Sequence, residues 1–210
     1  YIPNLLDPIV DGQVDYTKGN RLLTKDYREG MSGWRFFGNS ILTMLTKLSS
    51  GYWSMMDPQN GFTAASREAL MTIGLDEVFT YYGYCNDILT KLNVYGFGVK
   101  DVNIPARYGD EKSKIKYGPY ILKVSRQLSR NFVWRLKMKY LILSFNPLVF
   151  FYLFGLILTP LGFGLGIWSI YMWVTQGLSL FVRASLSGII FIVGLQFLLF
   201  AMLFDMQDNT

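Results

Sequence analysis

The sequence predicts an α/β domain followed by a basic amphipathic helix and a two-span membrane anchor. Three observations predict it. Short strand-like and helix-like pieces alternate over residues 1–111. Nine basic residues and no acid crowd residues 112–139. Residues 140–210 are almost free of charge, holding Arg183, Asp205 and Asp208. The chain has 210 residues, 51% of them hydrophobic and only 17% charged. That balance excludes a disordered chain, a coiled coil and a collagen-like chain. With no histidine, the Ser-His and Cys-His catalytic arrangements and His-based metal sites are excluded. With one cysteine, Cys85, an intrachain disulfide framework is excluded too.

The first 111 residues divide as follows. VDYTKGNR reads as a strand running into a loop, and REGMSGWRFFGNSILTMLTKLSS as a loop and then a helix. In that helix Trp34, Phe37, Ile41, Met44, Leu45 and Leu48 repeat at helical spacing, which suits a core helix or an interfacial one. DPQNGFTAASREALMTI is a turn and then a short helix opened near Ser66. DEVFTYYGYCNDILTKLNVYG is a helix closed by Gly96, and GVKDVNIPARYG a strand ending in a loop. Only two or three strands are expected. A doubly wound sheet would want a further half before them.

The net charge of +5 comes from one short stretch, since residues 1–111 hold 10 Lys and Arg against 13 Asp and Glu. A basic block abutting a long apolar run points to an anionic membrane surface rather than to nucleic acid. Within it Ile121, Val124, Leu128, Phe132 and Leu136 recur at helical spacing among Lys and Arg, the pattern of a helix lying in the interface plane. The first span is expected from about Pro147 to Val174, bent near Pro160 and packed closely through Gly162, Gly164 and Gly166. The second is expected from about Ala184 to Phe204, with Gln196 hydrogen-bonding to its neighbour. The basic block before the first span puts the domain and both termini on the cytoplasmic side.

Four pieces in order carry a resemblance to a family. DYTKGNR (Asp15 to Arg21), Arg35 with Asn39, DPQNGF (Asp57 to Phe62) and IPARYGDEKSKIKYG (Ile104 to Gly118) resemble motifs of glycosyltransferase family 2. The similarity is to its polyprenyl-phosphate branch, typified by dolichol-phosphate mannose synthase, and the amphipathic segment and two spans follow as in anchored members. The resemblance implies that residues 1–111 are the C-terminal part of a GT-A, Rossmann-like catalytic domain. It also implies that roughly a hundred preceding residues are missing. They would include an Asp-x-Asp motif that holds a divalent metal, Mg or Mn. This chain has no Asp-x-Asp. On this resemblance the three parts are the catalytic portion (1–111), the acceptor loop with interfacial helix (112–139) and the anchor (140–210).

The implied reaction moves a sugar from a UDP- or GDP-linked donor to a polyprenyl phosphate, dolichyl or undecaprenyl, with inversion. Arg21 and Arg35 would bind the acceptor phosphate, because a planar guanidinium matches phosphate bidentately. Asn39 would donate beside them. Arg107 would neutralise the leaving diphosphate, and Lys112, Ser113 and Lys114 would form an acceptor loop closing over the donor. Asn60, Gly61 and Phe62 would shape the sugar pocket, Gly61 permitting a tight turn. Asp87 sits where related inverting enzymes carry a catalytic carboxylate. Each residue also has a plainer role: an arginine in a carboxylate pair, lysines on anionic lipid, Phe62 in a core, Asp87 as a structural helix carboxylate. The resemblance leaves a homo-oligomer open. The rivals are a processive polysaccharide synthase, whose Gln-x-x-Arg-Trp motif is broken here at Asn131, and a membrane-anchored scaffold.

Overall fold

The computed structural model describes residues 1–21, 33–81, 83–105 and 117–209, with the backbone alone for residues 33–36, 39 and 117–119. These residues are mostly helical. They form α1 (Ile2–Val10), β1 (Tyr16–Asn20), α2 (Gly33–Ser50), β2 (Thr63–Ala65), α3 (Arg67–Ile73), α4 (Tyr84–Val94), β3 (Val99–Asn103), α5 (Tyr117–Lys137), α6 (Leu148–Gln176) and α7 (Phe181–Asp208). Residues Met138–Leu143 widen into a π-helical stretch. Where an α/β alternation was expected, the strands form one small three-stranded sheet in the order β2–β1–β3. Strands β1 and β2 run antiparallel and β1 and β3 parallel, with Tyr16 opposite both Ala65 and Val99. The chain divides into two compact units, residues 1–139 with Asn209, and residues 140–208.

In the first unit the core gathers Tyr16, Tyr52, Met55, Ala69, Ile73, Leu89 and Leu92. The short helix α3 starts at Ser66, whose hydroxyl accepts from the Ala69 amide at 3.1 Å. Helix α4 ends as expected before Gly96, which takes φ +76°, a left-handed conformation suited to glycine. Strand β2 is three residues long, too short for an alternation pattern to announce it. Helix α1 was not foreseen either. It is anchored by Leu5, which is buried and whose carbonyl accepts from the Thr17 hydroxyl at 2.7 Å.

Two helices present other faces than their patterns suggest. On α5 the apolar row is turned inward: Val124, Leu128 and Leu136 are buried within the first unit, so they do not lie open to a membrane. Its outward face mixes Ile121, Leu122 and Val133 with Arg126, Arg130 and Lys137. Arg135, counted in the basic block, is fully buried and donates to the Leu48 and Ser49 carbonyls, both at 3.0 Å. It thereby caps the C-terminal end of α2. On α2 the order is reversed. Phe37, Ile41, Met44 and Leu45 face outward, while the buried positions are Thr46, Ser49 and Ser50. The Trp34 side chain lies outside the described residues.

The second unit is a helix pair. Both helices are long and apolar enough to cross a membrane, with 18-residue windows of mean hydropathy 2.1 and 2.4. Only 22% and 17% of those windows is buried, whereas the core helix of a soluble protein is mostly covered. The pair therefore suggests membrane association. Helix α6 runs unbroken through Pro160. Close packing falls at Gly155, Gly162 and Gly194: an added Cβ would lie 2.7 Å from the Leu198 side chain, 2.7 Å from the Phe191 Cα and 2.8 Å from the Leu158 carbonyl carbon, respectively. Gly164 faces open space, and a Cβ on Gly166 would meet only Ser187 Oγ, at 3.7 Å. Gln196 is exposed and forms no hydrogen bond among the described residues, so the expected polar link between the helices is absent. The link is made instead by Asp205, fully buried, whose carboxylate accepts from the Tyr140 and Tyr152 hydroxyls at 2.7 and 3.3 Å.

Candidate functional site

The C-terminal ends of β1 and β3 meet the turn that begins at Asp57, and four charged side chains converge there. Lys18 projects from the central strand into a fully buried position, where alternation would place an apolar residue. Its ammonium donates to the Met56 carbonyl at 2.7 Å and to the Asp57 carbonyl, and lies 3.8 Å from the Asp101 carboxylate. Asp101 Oδ2 accepts from the Met56 amide at 2.7 Å and from Asn20 Nδ2 at 2.9 Å. Burial holds the Lys18 ammonium below the usual lysine range, against the opposing pull of Asp101 and Asp57. Burial likewise pushes the Asp101 carboxyl above the usual carboxylate range, against Lys18 and the Met56 amide.

This buried pair fixes the backbone of the turn, and the turn fixes Arg21. Asp57 has φ +47°, the only described non-glycine residue in the left-handed region. Its carboxylate takes the Arg21 guanidinium in a fork, Nε to Oδ2 at 2.6 Å and Nη2 to Oδ1 at 2.9 Å. Arg21 then lines a cleft of about 360 Å³ with Tyr1, Phe62, Ile104 and Pro105.

Of the predicted pocket residues, Phe62 is exposed in this cleft. Asn60 spends one amide proton and one carbonyl lone pair within the protein. Its Nδ2 donates to the Gly19 carbonyl at 2.7 Å and its Oδ1 accepts from the Phe62 amide at 3.1 Å. Gly61 has no positive φ. Its small size matters because a Cβ there would lie 2.7 Å from the Tyr84 hydroxyl.

Asp87 is placed elsewhere, in a second cleft that shares no lining residue with the first. One of its oxygens accepts from the Phe79 amide at 2.9 Å and the other from Gln127 Nε2 at 3.1 Å. It is buried. Arg35 and Asn39 stand in the first two turns of α2, with side chains outside the described residues. Arg107, Lys112, Ser113 and Lys114 also lie outside them. Of the catalytic and acceptor arginines, then, only Arg21 has a described side chain.

Lys18, Asn20 and Asp57 stood within quoted motifs but carried no assigned role, and Asp101 was not singled out from sequence. The available signal was a lysine at the centre of a short strand, which has to find a carboxylate or carbonyls if the strand is buried. These residues do not fit the divalent metal that the resemblance implies. No group of three or more His, Cys, Asp or Glu side chains among the described residues is placed to hold an ion. Asp57 and Asp101 are already engaged by Arg21 and by Asn20, Met56 and Lys18.

No protein-family model matches the chain. Over 213 aligned residues, covering 96% of its length, the chain is 28% identical to glycosyltransferase AglJ of Haloferax volcanii. It spans 62% of that relative's length.

Proposed function

We propose that this protein takes part in the transfer of a sugar from a nucleotide-linked donor to a polyprenyl phosphate at the cytoplasmic face of a membrane. The observation that carries the reading is the similarity to a glycosyltransferase along nearly the whole chain, helix pair included. A lipid acceptor accounts for a polar unit and two helices apolar enough to span a bilayer in one chain.

On this reading the acceptor phosphate oxygen attacks the anomeric carbon and the nucleoside diphosphate leaves from the opposite side. A phosphate near neutral pH is already anionic and needs placement more than a general base. Arg21 supports such placement. The Asp57 fork sets the direction of its guanidinium at the cleft wall, and Lys18 and Asp101 hold the turn beneath it. These two acids and two bases sum to zero. The net positive charge for the acceptor and the leaving group is therefore assigned to Arg35 and Arg107. Asp87, with both oxygens satisfied, acts as a structural carboxylate joining α4 to α5. The divalent metal of the donor diphosphate remains part of the proposal, with no ligand assigned.

The test is sugar transfer from UDP- and GDP-linked donors to radiolabelled polyprenyl phosphate by membranes carrying the protein. Arg21→Ala, Arg35→Ala and Arg107→Ala should each depress it by about a hundredfold or more, in line with the loss of an electrostatic contact to transferring groups. Lipid-linked sugar formed at the parental rate by all three variants would refute the assignment.

A further inference from the structure

Helix α7 turns one face to α6 and leaves another uncovered. The covered face carries Gly194, Leu198, Ala201 and Asp205, through the glycine contacts and the buried carboxylate already described. At roughly 100° per residue, Gln196 stands on the opposite side of the helix from Gly194. Ile189, Ile192, Leu199, Leu203 and Met206 share that side, and all of them are exposed, as Gln196 is. From Ile189 to Met206 the spacing alternates between three and four residues, the repeat by which one helix runs along another in a left-handed seam. The apolar members of the row ask for no partner by themselves, because acyl chains cover them as well as protein does. Gln196 does ask for one.

Its amide offers two N–H donors and a carbonyl with two lone pairs, and none of these meets a protein group among the described residues. Phe181 lies fifteen residues before it and Asp208 twelve after. At about 1.5 Å per residue, neither helix end is nearer than roughly 18 Å, out of a glutamine's reach. The core of a bilayer holds no water to meet the amide, and leaving such a group bare there is unfavourable.

The chemistry of the amide selects its partner. A carboxylate would take its protons and leave its carbonyl bare, and an ammonium would do the reverse. Another amide does both, with one N–H···O bond in each direction. A second copy of this chain supplies that amide with no further condition. Two copies inserted with the same topology run their α7 helices parallel, so the two Gln196 side chains lie at the same depth. We infer that α7 is a self-association helix: two copies pack in parallel along the row from Ile189 to Met206, about a two-fold axis normal to the membrane, and the paired Gln196 amides set the register. A lone polar residue in an otherwise apolar seam fixes alignment in this way, because any slip separates the two amides.

The inference rests on the helix pair lying in a bilayer and not on the transfer reading. The test is energy transfer between full chains labelled at the amino terminus with donor or acceptor fluorophore and reconstituted in phosphatidylcholine vesicles. The chain should stay with the vesicles through an alkaline carbonate wash; its release would overturn the inference at its premise. Transfer should exceed that of randomly placed chains, rise with the protein-to-lipid ratio and fall when unlabelled chain is added. Gln196→Leu, whose side chain touches nothing polar within its own chain, should need about three- to tenfold more protein for the same transfer. Gln196→Asn keeps an amide and should stay nearer the parent. Ile192→Cys and Leu199→Cys, on the row, should each form disulfide-linked dimers under copper–phenanthroline, while Leu195→Cys, exposed but off the row, should not. The native Cys85 is buried and takes no part. Four results would overturn the inference: transfer at the random level, Gln196→Leu associating like the parent, Gln196→Asn no better than Gln196→Leu, or Leu195→Cys cross-linking as fast as the row positions.

Discussion

Residues 1–139 bury Lys18, Asp57, Asp87 and Arg135, whereas the α6–α7 pair buries one carboxylate, Asp205, between two tyrosine hydroxyls. In the first unit each buried charge holds backbone that lies outside regular structure: a turn, a helix end or the approach to α4. In the second there is little irregular backbone to hold, since long helices satisfy their own peptide groups. Contact there comes from glycines that let two helices approach. The comparison teaches that buried polarity here follows the need to fix non-helical backbone.

The sharpest way to break this comparison is Lys18→Met. Removing the ammonium leaves the half-buried Asp101 without its cation and two carbonyls without a donor. A loss of about 3–5 kcal/mol is expected, read as a lower denaturant midpoint in micelles. A loss under about 1 kcal/mol, the range of exposed ion pairs, would mean that the pair does not organise the turn. Gly194→Leu tests the other side. The new side chain meets the α6 backbone at Leu158 and Thr159. It should cost about 1–3 kcal/mol by overpacking, seen as a lowered thermal midpoint, and an unchanged midpoint would show that the helices separate freely.

A third prediction concerns pH. The raised Asp101 pKa means that the folded chain binds a proton more tightly than the unfolded chain there. Stability should therefore fall as pH climbs from the ordinary carboxylate range to the raised value. Unfolding midpoints of Asp101→Asn and parent, followed upward from the ordinary carboxylate range, should differ in slope as the parent's Asp101 titrates. Parallel profiles would remove Asp101 from the account. The smallest effect is expected for Gln196→Leu, within about 0.5 kcal/mol, because the side chain is exposed and carries no hydrogen bond among the described residues. A larger loss would reveal a polar contact for Gln196.

Much of this was legible in the sequence where the period was long. The long apolar helices at 148–176 and 181–208, the Ser66 start of α3 and the Gly96 stop of α4 follow from hydropathy and capping chemistry. Hydrophobic spacing also located α5 and α2, yet it could not say which face each turns inward. The α5 row docks on the protein, while the α2 row faces out and polar Thr46, Ser49 and Ser50 pack inside. Periodicity reports that a helix has two faces; which is covered depends on what other elements offer it. The site was half legible for a similar reason. Arg21 and Phe62 line one cleft, but the Asp57 fork that aims Arg21, and the Lys18–Asp101 pair beneath, join residues far apart in the chain. Asp87 was read as part of the same site and stands in a different cleft, because its helix position faces α5.

The Arg135 cap adds a remote closure to the ending that Gly51 already gives α2. Gly51 follows at φ +82°, where a Cβ would lie 2.6 Å from the arginine Nη1, so the seat is shaped for that guanidinium. A helix closed by a remote segment can be opened by moving that segment. The last turn of α2 thus serves as a gauge of α5: amide exchange at residues 47–51 should speed up whenever α5 lifts, long before the fold as a whole gives way.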